Sequence, residues 1–84
     1  MTKVVIYTTS YCPYCTAAKA LFKSKNVSFT EIDVEGDDQK RVWLAQTTGQ
    51  RTVPQIFIND KPCGGFTDVQ SLDQKGELDK LLGT

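Results

Sequence analysis

The sequence predicts an α/β fold: a four-stranded mixed sheet in the order β-α-β-α-β-β-α, with helices on both faces. Three observations predict it. Apolar, β-branched runs alternate with stretches of good helix formers. A β-α-β crossover is right-handed and makes the first two strands parallel. Asn59-Asp60, between two short extended runs, is a hairpin signal that makes the last two strands antiparallel.

Lys3-Val4-Val5-Ile6-Tyr7-Thr8 barely alternates, so residues 3–8 read as a strand buried on both faces. The loop Thr9-Ser10-Tyr11 follows. Cys12 then falls at the N-cap, and Pro13 at the first helical position, where its missing N–H costs nothing. The helix runs from 13 to about 25, with Ala18, Leu21 and Phe22 on one face and Lys23 and Lys25 near the end that suits them. Asn26 stops it.

Residues 27–34 read as a second strand, alternating through Val27, Phe29, Ile32 and Val34 with a slip of phase. Glu35-Gly36-Asp37-Asp38 is a turn that supplies an acidic start to a helix over 38–48, ending at Gly49. The acids between Glu31 and Asp38 fit a solvated turn better than a metal site. Residues 52–58 read as a third strand with Pro54 at its start. Lys61 to Cys63 makes a very short fourth strand, Gly64-Gly65 ends it, and two or three helical turns between Thr67 and Leu82 close the chain.

With 84 residues, a single domain over 1–84 is expected, near the lower size at which one core holds without staples. Ten basic and ten acidic residues cancel, which implies no basic face for nucleic acid and no electrostatic draw to a membrane. No apolar run is long enough to span a bilayer, and the first residues are too polar for a signal peptide, so a reducing, cytoplasmic setting is expected. Three cysteines do not make a secreted disulfide framework. The absence of histidine removes Cys-His nucleophile pairs and nearly every catalytic zinc arrangement.

Cys12-Pro13-Tyr14-Cys15 can bridge as a disulfide or share a metal ion. Its place between a strand and a helix reads as a thioredoxin-like redox site. Structural zinc would need further ligands, and only Cys63 remains. A helix N-terminus stabilises a thiolate through its free N–H groups and the dipole, so Cys12 is expected to attack and Cys15, one turn further in, to resolve. Val53-Pro54 is either a simple strand-entry proline or a cis bond that leaves the Val53 backbone free to pair with an extended peptide. Gly64-Gly65-Phe66-Thr67-Asp68 is either an ordinary turn and cap or a cradle of free N–H groups for a carboxylate, with Thr67 and Asp68 where N-caps belong.

Taken together, Cys12-Pro13-Tyr14-Cys15, Thr52-Val53-Pro54 and Gly64-Gly65-Phe66-Thr67-Asp68 resemble a dithiol glutaredoxin, a member of the thioredoxin-fold superfamily. The stretch from Thr48 to Ile58 is also similar to that family, and the resemblance covers essentially the whole chain, as in the short bacterial members. It implies a glutathione-dependent thiol–disulfide oxidoreductase serving electron transfer and cell redox homeostasis, with Cys12 as nucleophile and Cys15 as resolving thiol. Val53, before a cis Pro54, would pair its backbone with the cysteinyl part of glutathione. Gly65, Phe66 and Thr67 would form the cradle for the γ-glutamyl carboxylate, and Asp68 would take the α-amino group. Arg41 matches the position that reaches the glycyl carboxylate. Tyr14 would line the groove, with Arg51 and Thr52 at its border.

Two positions depart from the family pattern. Thr9 stands where many members carry a lysine, so Cys12 is expected to depend more on the helix terminus. Cys63 stands where an aliphatic residue is common and is expected to pack as a small apolar side chain rather than act in redox chemistry. No metal is expected. A [2Fe–2S] cluster shared by a dimer through Cys12 and glutathione is the rival from another class, and Pro13 argues against it by stiffening the loop and removing an N–H. A donor reduced by thioredoxin reductase is a further rival, disfavoured by the Thr-Val-Pro and Gly-Gly pattern. Expected partners of this monomer are glutathione and glutathionylated or disulfide-containing proteins such as ribonucleotide reductase.

Overall fold

The computed structural model describes residues 2–83. Its elements are β1 (Val4–Thr8), α1 (Pro13–Ser24), β2 (Thr30–Asp33), α2 (Asp38–Thr48), β3 (Gln55–Ile58), β4 (Lys61–Gly64), α3 (Phe66–Gln74) and α4 (Glu77–Leu82). The sheet order is β2-β1-β3-β4. β1 pairs parallel with β2 and antiparallel with β3, which pairs antiparallel with β4. The expected thioredoxin-like α/β sheet is therefore the observed one.

The alternation of β1 assigns its residues to two faces. Val4 and Ile6 join Ala18 and Phe22 of α1, Ile56 and Ile58 of β3, and Val69, Leu78 and Leu82 of the last two helices. On the other face, Tyr7 packs with Val34, Leu44 of α2 and Phe57. Trp43 extends this second cluster outward, with its ring stacked 5.9 Å from that of Phe57. β1 is thus buried on both sides, as its unbroken apolar run predicts. α1, α3 and α4 cover one face and α2 the other.

Several boundaries differ from the sequence reading, four elements most clearly. β2 begins at Thr30 rather than at 27, because it pairs only with β1, from Val5↔Thr30 to Thr8↔Asp33. Val27 and Phe29 still pack against the α1 side, while Ile32 packs toward α2, which accounts for the slip in alternation. β3 begins at Gln55, opposite Tyr7, so residues 52–54 enter the strand as a separate segment. β4 reaches Gly64. The final helix is two helices: Lys75 ends α3 and Gly76, at φ +75°, adopts a left-handed conformation that no helix interior accommodates.

Lys25 ties the helical layer together. Its ammonium lies 2.7 Å from Asp73 and 2.9 Å from Asp79, joining the end of α1 to α3 and α4.

Candidate active site

The end of β1 delivers the chain into a short loop, and Pro13 at the first helical position leaves Cys12 as the N-cap, with extended φ −145° and ψ 96°. The Cys15 N–H donates to Cys12 Sγ at 3.0 Å. The two sulfurs are bonded as a disulfide, with Cα atoms 5.1 Å apart. Burial separates the two residues: Cys15 is 2 % exposed, whereas Cys12 is only partly covered. Cys12 Sγ also lies 3.6 Å from the Val53 carbonyl oxygen, which brings the Val53-Pro54 segment beside the redox pair across a sequence gap of 41 residues.

The Val53-Pro54 peptide bond is cis. Val53 leans its side chain on the α2-side cluster, and its backbone belongs to no strand. A groove of about 470 Å³ runs from Tyr14 of α1, along Thr52, Val53 and Pro54, to Gly65, Phe66, Thr67 and Asp68. The Tyr14 ring stands 6.2 Å from that of Phe66. Three stretches far apart in sequence therefore meet in one groove beside Cys12.

The end of this groove at Gly64 and Gly65 is set by local geometry. Gly64 has φ +93°, and a Cβ there would run into the Asp68 carboxylate. A Cβ at Gly65 would approach the Pro54 carbonyl oxygen to 3.3 Å. The Asp68 Oδ2 accepts the Gly65 N–H at 3.0 Å. Gly65, not Thr67 or Asp68, is the N-cap of α3, so Thr67 and Asp68 sit within the first turn and the sequence reading is corrected by two or three positions. The N–H groups of Phe66 and Thr67 remain without an intrahelical acceptor, as a first turn requires.

Arg41 and Arg51 are not in this groove. They line a separate cavity of about 710 Å³ with Asp38, Val42, Ala45, Gln46 and Gly49. A narrow recess connects the two regions, lined by Arg41, Arg51, Thr52, Val53, Leu44 and Gln50. Gln50 and the fully buried Gln55 were not singled out in the sequence. The available signal was Gln55 itself, a polar residue in the middle of an apolar strand.

The groove lining contains neither lysine nor arginine. The start of α1 presents its free N–H groups and positive dipole end at Cys12. Glu31 and Asp37, of the acids in 31–38, are engaged in other contacts. Glu31 accepts from Lys19 Nζ at 3.0 Å and from the buried Thr8 hydroxyl at 2.8 Å, and these two bonds, Lys19 first, lower its pKa below the ordinary value. Asp37 caps α2 by accepting the Lys40 N–H at 3.0 Å. Among the described residues, no cluster of three or more Cys, Asp or Glu is arranged to hold a metal ion. Half-buried Cys63 has its thiol pKa pushed up by desolvation. No helix among the described residues is long and apolar enough to cross a membrane.

Comparison with known proteins gives a consistent result. The family model described as Glutaredoxin matches residues 4–62. Glutaredoxin 3 of Escherichia coli K12 is 49% identical over 82 residues, covering 98% of this chain and 99% of the relative. A glutaredoxin of Pseudomonas aeruginosa is 48% identical over 82 residues, covering 98% of each. Among solved structures, a buckwheat glutaredoxin–glutathione complex superposes with a TM-score of 0.93 at 33% identity, covering 98% of this chain and 77% of that one.

Proposed function

This chain belongs to the glutaredoxin family of thiol–disulfide oxidoreductases, and from that premise we propose that it reduces protein–glutathione mixed disulfides and protein disulfides at the expense of glutathione in the cytoplasm. The observation that carries the reading is the position of Cys12: N-cap of α1, bonded to the buried Cys15, and 3.6 Å from the Val53 carbonyl at the edge of the groove. The buckwheat relative solved with glutathione supports the choice of co-substrate.

In the reduced protein the first-turn N–H groups favour the Cys12 thiolate. That thiolate attacks the glutathione sulfur of a mixed disulfide. The old S–S bond breaks, the target sulfur leaves and takes up a proton, and Cys12 carries glutathione. A second glutathione thiolate attacks the glutathione sulfur on Cys12, releasing glutathione disulfide and the Cys12 thiolate. With a protein disulfide, Cys12 forms a mixed disulfide with the target. Cys15 then displaces the target from Cys12, leaving the Cys12–Cys15 bond for two glutathiones to reduce. Rates follow the thiolate fraction tempered by its nucleophilicity.

Glutathione lies in the groove with its cysteinyl backbone against Val53 and its γ-glutamyl carboxylate on the N–H groups of Phe66 and Thr67. Gly65 keeps that approach open, Asp68 takes the α-amino group, and Tyr14, Thr52 and Pro54 line the walls. Arg41 and Arg51 face the glycyl carboxylate from the adjoining recess. Ribonucleotide reductase and glutathionylated enzymes are the class of target, and the protein works as a monomer without a metal. The deciding experiment couples glutathione and glutathione reductase to a glutathione mixed disulfide and follows nicotinamide oxidation. Turnover is expected with glutathione. Turnover only with thioredoxin reductase would overturn the reading.

A further inference from the structure

Gln55 has no exposed surface, and burying an amide is costly unless it is hydrogen-bonded. Its Nε2 donates to the Thr52 carbonyl oxygen at 2.8 Å and to Gln50 Oε1 at 3.1 Å, while its Oε1 is buried with no partner among the described residues. A carbonyl oxygen only accepts, so the Thr52 contact fixes which end of the amide faces it. A side chain that leaves half of its amide unpaired in the core is a poor choice for stability alone, and such exceptions belong to functional sites. Gln55 begins β3 and pairs with Tyr7 of β1, so the amide is held from the middle of the sheet.

The Thr52 carbonyl and the Val53 N–H belong to one planar peptide unit. That unit is trans, the cis bond among the described residues being Val53-Pro54, and in a trans unit the carbonyl and the N–H point in opposite directions. Holding the Thr52 carbonyl against the buried amide therefore turns the Val53 N–H away from Gln55. That N–H makes no hydrogen bond among the described residues, and Val53 lines the groove beside Cys12. The unit rotates only through its two flanking torsions, and the bond to Gln55 opposes that rotation.

We infer that Gln55 is a positioning residue for disulfide exchange at Cys12. It locks the Thr52–Val53 peptide with its N–H presented to the backbone of the substrate, and so sets the line along which the substrate sulfur meets Cys12. The inference rests on the glutathione-dependent reading above and adds to it a residue outside the groove lining. The effect of Gln55 is confined to disulfides that carry a peptide backbone.

The test oxidises the reduced protein in single turnovers with glutathione disulfide and with bis(2-hydroxyethyl) disulfide, which has no peptide group. In each case the Cys12 thiolate attacks one sulfur, and the other leaves as a thiolate and takes up a proton. Cys15 then displaces the group on Cys12 and leaves the Cys12–Cys15 bond. The ratio of the two rate constants cancels any change in folded fraction or thiolate fraction. Gln55→Leu is expected to lower that ratio, glutathione disulfide over the other, by about five- to tenfold, as loss of one aimed hydrogen bond requires. A spectroscopic readout accompanies it. With glutathione on Cys12 of the Cys15→Ser protein, the Val53 amide exchanges slowly with solvent, and adding Gln55→Leu speeds it by a similar factor while the amides of β1 keep their rates. An unchanged ratio, or Val53 exchange indifferent to Gln55→Leu, overturns the inference. So do wild-type Gln55 side-chain amide protons that exchange as fast as those of exposed Gln46, whether or not the variant folds. A wild-type protein that reacts with bis(2-hydroxyethyl) disulfide but not with glutathione disulfide overturns the parent reading instead.

Discussion

The backbone N–H of Cys15 donates to the sulfur of Cys12 at 3.0 Å, so the residue that would resolve a mixed disulfide also helps hold the attacking sulfur. That bond uses the backbone of Cys15, and therefore survives replacement of its side chain. Cys15→Ser is expected to keep turnover of glutathione mixed disulfides and to lose reduction of protein disulfides. Cys12→Ser is expected to lose both. A Cys15→Ser protein inactive on a glutathione mixed disulfide would refute this division of labour.

Position 9 carries an uncharged threonine, and Cys12 caps the start of α1, where free N–H groups favour a thiolate. Thr9→Lys adds a cation at the loop before Cys12 and is expected to shift the midpoint of the alkylation rate against pH downward in the reduced protein. The check is iodoacetamide labelling across a pH series, read at Cys12 by mass spectrometry. An unshifted midpoint would overturn the expectation that Cys12 depends on the helix start for want of a cation at position 9.

Gly64 sits at φ +93° with the Asp68 carboxylate where a Cβ would be. Gly64→Ala is expected to destabilise the fold by about 1–2 kcal/mol from the backbone conformation alone. In a chain of this size that is on the order of 5–10 °C in the thermal midpoint. Because Asp68 must move, KM for the glutathione substrate rises as well. Calorimetry and steady-state kinetics on the same preparation separate the two effects.

Two groups give stability a pH dependence with opposite signs. The Lys25 pKa is raised above its ordinary 10.5 by hydrogen bonds to Asp73 and then Asp79, so its contribution is complete below pH 10.5 and fades as pH rises through the higher folded value. The Glu31 pKa is lowered below 4.5 by Lys19 and then Thr8, so its contribution holds above pH 4.5 and fades as pH falls through the lower folded value. Glu31 is partly solvated, which limits its share to no more than about 1 kcal/mol. Lys25→Met should flatten the alkaline limb of the unfolding midpoint against pH, and Glu31→Gln the acid limb. Unchanged limbs in both variants would mean that other groups set the pH profile.

Desolvation pushes the Cys63 thiol up, which suits packing more than reaction. Alkylation at neutral pH is expected to modify Cys63 far more slowly than Cys12. Cys63→Val is expected to turn over glutathione mixed disulfides like the parent protein. Glutathione or a dimer link found on Cys63 after mild oxidation would contradict that assignment.

Much of the site was legible because its determinants are local. A β-branched run, a cysteine before a proline and a stretch of alanines specify strand, N-cap and helix without reference to the rest of the chain, and Cys12 is the N-cap. Asp37 and Gly49 likewise bracket α2 at the positions their side chain and left-handed φ dictate. The break at Gly76 is equally local, a left-handed glycine inside a helical pattern where the element order expects a single closing helix.

What the sequence by itself determined, then, was the type of each element and the residues whose backbone chemistry is fixed by near neighbours. The tertiary structure decided lengths and meetings. β2 is four residues long because only β1 offers it hydrogen-bonding partners, whatever the apolar pattern upstream. Arg41 opens into a cavity beside the groove rather than into it, because α2, which carries it, lies on the opposite face of the sheet from α1 and α3, and Arg51, just past α2, lines the same cavity. Gln50 and Gln55 meet only because the chain turns through Pro54 before β3 pairs with β1. Hydrogen-bond partners and cavity walls come from chain segments brought together by burial, and no local pattern encodes which segments those are.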